Sequence, residues 1–186
     1  MKKKIMFLFG VLLVFSLNSC NVSQVSLETF KNRYNEIRID GFVEDPVVWA
    51  CYAGSNISLE IFKNRFNEYK DIHLLRPRIV WACYARSDVS LELFDKRYNE
   101  ITNDRFASSQ DVWACYAGSN VSLEIFKNRF NEIKIDDFFK NKGYDVLAFY
   151  AESDVSLNIF KKRYNKIEKS NLVDYDTVWA CFAGSK

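Results

Sequence analysis

From Val25 onward the order of apolar and polar positions repeats five times without a gap, over residues 25–56, 57–88, 89–120, 121–154 and 155–186. Each copy opens on V-S-L-E-x-F-K-x-R-[YF]-N-E-I or a close variant, crosses a variable stretch, and closes on a block related to V-W-A-C-Y-A-G-S-N. In the first copy Leu27, Phe30, Tyr34 and Ile37 stand at i, i+3, i+7 and i+10, which places them on one helix face, while Lys31, Asn32, Asn35 and Glu36 fill the other. Ser26 is a good N-cap, and Glu28 meets the positive end of the helix dipole. The pattern predicts an amphipathic helix. Residues 47–53 are apolar on every side, as expected of a helix packed between neighbours, with Asp45 as cap and Pro46 at the first helical position. Periodicity alone also admits a strand there. Gly54-Ser55-Asn56 breaks the element and turns into the next amphipathic helix.

Two short helices per repeat, stacked on their neighbours, predict an all-α solenoid of helix pairs whose core is continuous from copy to copy. The VWACYAGSN block followed by SLEIFKNRFNEI, from Ser58 or Ser122, resembles the first and second helices of the ankyrin repeat. In that phase about four full pairs run from Pro46 to Ile167. Half a unit is left at each end, Ser26–Ile37 at one and Val178–Gly184 at the other. Other helical solenoids share the pattern.

Ahead of the repeats, Lys2, Lys3 and Lys4 precede an apolar-dominated run from Ile5 to Leu17. Thirteen helical residues rise only about 20 Å, short of the roughly 30 Å hydrocarbon core of a bilayer, so the run reads as a secretory signal over residues 1–19. Leu17-Asn18-Ser19-Cys20 resembles the lipobox of bacterial lipoproteins. The resemblance implies cleavage before Cys20, a diacylglycerol on its sulfur, residues 20–24 as a short tether, and a place in the bacterial cell envelope, in the outer membrane and periplasm or at the cell surface. An ordinary secretory signal beside a chance cysteine is the alternative. Without the three lysines the formal charge of +2 becomes −1. Nucleic-acid binding is not expected of a near-neutral chain with its signs interspersed.

The candidate chemistry is sparse. Cys51, Cys83, Cys115 and Cys181 share one repeat position, where the fourth copy has Phe149. Equivalent positions of stacked helices lie about 8–10 Å apart, beyond the roughly 7 Å that a disulfide spans. These cysteines therefore read as small core residues, and no histidine accompanies them to make a metal site. Trp49, Trp81, Trp113 and Trp179 form a column read as core, since Leu147 replaces them once. Arg33, Arg65, Arg97, Arg129 and Arg163, invariant among the copies, read as a structural ladder to carbonyls or carboxylates. His73 is the one histidine and has no counterpart in other copies. No phosphate loop, nucleophile elbow or metal cluster points to catalysis or to a cofactor.

The copies differ most over residues 38–44, 70–78, 102–110, 134–144 and 168–175. A constant core with a varied edge is the pattern of a recognition surface. The expected function is a membrane-anchored protein-interaction module, with Phe42, His73, Arg76 and Phe106 in the loops and a half-exposed Tyr52, Tyr84 and Tyr116 column as candidate contacts. The alternative is a structural or surface-variable envelope protein without a dedicated partner.

Overall fold

A computed structural model describes residues 25–185. Ten helices follow in order: α1 (Leu27–Asp40), α2 (Pro46–Ala53), α3 (Leu59–Ile72), α4 (Arg78–Arg86), α5 (Leu91–Asp104), α6 (Gln110–Gly118), α7 (Leu123–Lys134), α8 (Tyr144–Glu152), α9 (Leu157–Glu168) and α10 (Asp176–Gly184). No strand occurs among the described residues, so the strand reading of 47–53 is replaced by α2. Local chemistry sets the boundaries. The hydroxyls of Ser26, Ser58, Ser90 and Ser122 accept from the backbone N–H three residues on, and the Asp45 carboxylate accepts from the N–H groups of Val47 and Val48.

The molecule is a solenoid of stacked helix pairs, and its two ends meet. The even-numbered helices form an inner tier in which α2 packs on α4, α4 on α6, α6 on α8, α8 on α10, and α10 on α2 again. Each odd-numbered helix packs on the outside against the inner helix that follows it. The half units expected at the two ends complete each other: the Phe30 ring of α1 lies edge-on to Phe182 of α10 at 5.3 Å, as Phe62 does to Tyr52 at 5.5 Å within the chain. Phe30 is wholly buried as a result.

Side-chain size makes the ring close. The inner helices carry alanine at two fully buried positions, Ala50 and Ala53 in the first copy and their counterparts in the others, while Phe and Tyr fill the space beneath the outer helices. Adjacent inner backbones come so close that a Cβ at Gly118 would lie 2.9 Å from the Cys83 carbonyl oxygen, and one at Gly184 2.6 Å from that of Phe149. Narrow inside and wide outside, each pair is a wedge.

The arginine ladder stitches the wedges together. Arg33 donates to the Tyr52 carbonyl, the Ser55 hydroxyl and the Ile57 carbonyl, reaching from one copy into the start of the next. Arg65 and Arg129 repeat the set, and Arg97 donates to the Ser119 and Val121 carbonyls. Arg163 donates to the Phe182 carbonyl, to both oxygens of Ser185, and then to the carbonyl of Val25 at 3.1 Å. The residue that follows the fifth copy in space is the first residue of the first copy.

Candidate interaction face

Because the inner helices run side by side in one direction, the ring has two unlike faces. The chain reversals at residues 54–57 and their counterparts gather on one, the turn face. The loops that join each outer helix to its inner helix gather on the other.

On the turn face the reversals surround a funnel of 210 Å³ whose walls include Ser55, Ser87, Ser119, Ser153 and Ser185. Their hydroxyls donate to the carbonyls three residues earlier. Gly54, Gly118 and Gly184 stand at the floor, while the second and fourth copies place Arg86 and Glu152 there. Those two side chains form an ion pair across the axis with 14% and 10% of their side-chain surface exposed. The Arg86 guanidinium also lies over the Phe149 ring at 4.9 Å. Burial alone works against its charge. That is the largest single effect, and the Glu152 carboxylate outweighs it only together with the nearby Cys51, Cys83 and Cys115 sulfurs, which leaves Arg86 well above the ordinary arginine range. Five helix C-termini converge on the same point, and a buried cation answers their negative dipole ends.

The thiols line the axis one turn deeper. Cys51 is within hydrogen-bonding reach of Cys181 and Cys83, and Cys83 of Cys115; all four are free and buried. Burial pushes the Cys115 and Cys181 thiols up, so they stay neutral core groups. At the loop end of the axis Asp45, Asp111, Asp145 and Thr177 surround a mouth of 310 Å³ beside Val47 and Ile79. Carboxylates here meet five helix N-termini. Burial, and next the charge of Asp145, raise the Asp111 carboxyl above the usual carboxylate range.

The constant tyrosines are not contact groups. Tyr52, Tyr84 and Tyr116, expected half-exposed, are buried. Their rings face the Arg33, Arg65 and Arg97 guanidiniums at 4.2, 4.2 and 4.7 Å, and their hydroxyls donate to Glu36, Glu68 and Glu100. Burial, together with the Glu36 carboxylate, pushes Tyr52 up to about 12. The ring packs within the wedge while the hydroxyl reaches a carboxylate at the outer-helix surface, so the expected half-exposure does not arise. The tryptophans likewise belong to the repeat. The indole N–H of Trp49, Trp113 and Trp179 donates to the carbonyl six residues earlier, at Val43, Ala107 and Val173, and so ties each loop down.

Phe42 and Phe106, expected as loop contacts, are partly buried plugs. Each ring meets the next outer helix edge-on at 5.2 Å, Phe42 against Phe66 and Phe106 against Phe130. His73 and Arg76 are half-buried and meet at Asp95 on α5. His73 Nε2 is 3.0 Å from Asp95 Oδ2, and Arg76 Nη1 is 3.2 Å from Oδ1. Tyr69 donates its hydroxyl to the same carboxylate at 2.8 Å. Cys20 lies outside the described residues.

What the loop face exposes instead is aliphatic and aromatic: Ile39, Ile72, Leu74, Leu75, Ile135, Phe138, Tyr144 and Tyr175. The other large exposed hydrophobics among the described residues, Ile61, Leu93, Ile125 and Ile159, form a separate column on the first turn of the outer helices, at the rim of the turn face. These loop residues were missed as candidates because they carry no chemistry. Their signal was apolar character in stretches where no helix face required it. Compared with known proteins, the chain matches no family model, no curated protein and no solved structure.

Proposed function

We propose that this chain is an envelope lipoprotein, anchored through Cys20, whose helical ring recognises a protein with its loop face. One observation carries the reading. The recurrent arginine, tyrosine and tryptophan side chains are used up in holding the ring, whereas the segments that differ between copies hold eight of the twelve large exposed hydrophobics among the described residues, all on the loop face. Exposed apolar side chains grouped on one face are the usual mark of a contact surface. The Cys20 anchor rests on the lipobox-like tetrapeptide and the apolar run before it. No catalytic role enters this reading.

The test compares the full chain, a Cys20→Ser variant, and a ring whose 70–78 and 134–144 loops carry the residues of 38–46. The Cys20→Ser chain should lose its membrane-fraction pool and the acyl mass on its N-terminal peptide. In quantitative affinity capture from the native envelope, at least one protein should fall about tenfold with the grafted ring and should recapture the parent ring reciprocally. Identical capture profiles for the two rings would remove the interaction reading and leave the alternative, a ring that serves as envelope structure.

A further inference from the structure

The junction between the second and third copies departs from the repeat in a concerted way. Elsewhere the tryptophan N–H holds the carbonyl six residues back; Trp81 instead holds that of His73, eight residues back. Two residues of loop are thereby left over, Leu74 and Leu75. By position Leu74 is the counterpart of the plugs Phe42 and Phe106. Its place over the next outer helix is taken by the Arg76 guanidinium, 4.0 Å from the centre of the Tyr98 ring.

The substitutions that allow this exchange meet in one cluster. Asp95 stands where the other copies have lysine, and Tyr69 where they have isoleucine. At three other junctions that lysine pairs with a carboxylate of the preceding copy, as Lys63 does with Asp40, Lys127 with Asp104 and Lys161 with Asp136. Here the polarity is reversed, with Asp95 receiving His73, Arg76 and Tyr69. The turn closes through the Arg76 N–H to the His73 carbonyl at 3.0 Å. Its polar ends point inward, and its tip, 66% exposed at Leu74 and fully exposed at Leu75, points out. An ordinary loop would bury the leucines and solvate the charges.

We infer that the Leu74–Leu75 tip is the principal contact of the loop face, and that it takes an acidic, apolar segment of a protein partner. This rests on the loop-face reading above. Two adjacent leucines on a turn whose backbone is already hydrogen-bonded supply apolar area at a reduced ordering cost, which favours binding. The partner's charge follows from the loop: 70–78 has the highest formal charge of the five variable stretches, and with Arg76 already paired to Asp95, Lys70 and Arg78 against Asp71 still leave it net positive.

The test is selection of a random peptide library displayed on phage against the biotinylated full chain. Enriched peptides should combine large apolar residues with Asp or Glu, and the double variant Leu74→Ser/Leu75→Ser should weaken their binding at least tenfold. These leucines are exposed, so that variant keeps its helical melt. Asp95→Lys, which restores the repeat residue beneath an unchanged tip, should also weaken binding several-fold. Peptides that bind the double serine variant equally overturn the tip. If the same peptides lose binding when the 134–144 loop is exchanged, the loop-face reading stands while the tip falls. Enrichment of basic peptides overturns the assigned partner chemistry, and a library that yields no binder overturns tip and loop face together.

Discussion

Replacing Arg86 with glycine is expected to lower the stability of the ring by about 3–5 kcal/mol, the usual cost of breaking a buried ion pair from one side. In a domain of this size the midpoint falls by roughly 10 °C, read from thermal unfolding by circular dichroism. The cost does not come from lost volume, because glycine is what the first, third and fifth copies carry at this position. It comes from Glu152, which would face five converging helix C-termini without the guanidinium that answers them. Two controls isolate that cause. Arg86→Gly combined with Glu152→Gly gives all five copies the same residue and should recover much of the loss. In the single variant, less positive charge faces the Glu152 carboxylate than in the parent. Protonation then costs the folded variant less than the folded parent, and the deficit relative to the parent narrows as pH falls. A double variant as unstable as the single one would show that the guanidinium works through its packing on Phe149, not its charge.

That pair also shows where sequence reading stops. The helices, their caps and their buried faces are local properties, and the serines, Asp45 and the 3.6-residue spacing announce them directly. Stacking of the copies is legible too, because apolar positions that recur at fixed spacing have to meet. Closure is not local. It depends on how much narrower each wedge is on its inner side, and so on Ala, Gly and Cys packing to within van der Waals contact of a neighbour's backbone. An open array and a closed ring share one repeat. Arg86 and Glu152, 66 residues apart, look like two unrelated departures from glycine until the ring brings them to one point. The tyrosine column failed for a related reason. A lone Tyr hydroxyl suggests the surface, and only the packed helix pair shows that a buried ring can still reach Glu36, Glu68 or Glu100 on the outer helix. The loop tip was half legible. His73 and Arg76 stood out as departures from the repeat, but they are the clasp, and the leucines they expel are the surface.

Ring closure itself has a second large consequence, expected at Arg163. Arg163→Ala removes donors from the Phe182 and Ser185 carbonyls, from the Ser185 hydroxyl and from the Val25 carbonyl. Charged donors to buried acceptors contribute about 1.5–3 kcal/mol each and are not additive, so the loss should be about 4 kcal/mol. Arg65→Ala breaks the equivalent set between the second and third copies and should cost about as much. The two variants differ in what they release. The Arg65 seam is crossed by the chain itself, so its loss lowers the protection of the whole ring. The Arg163 seam has no such covalent crossing: this arginine, the Phe30 edge on Phe182 and Lys31 Nζ donating to the Ser170 carbonyl at 3.4 Å hold α1, beside the packing of α2 on α10 and the reach of Cys51 to Cys181. Its loss lets α1 part from α10 while the remaining wedges stay stacked, because a solenoid's stability is a sum over neighbouring units. Amide exchange by mass spectrometry should therefore speed up in α1 of Arg163→Ala well before α5 and α6, and should speed up evenly in Arg65→Ala. If α1 stays as protected as α5 when Arg163 is gone, the seam is not held by the ladder. The aromatic wedge beneath it would then close the ring, with the arginines serving only to satisfy carbonyls that closure has already buried.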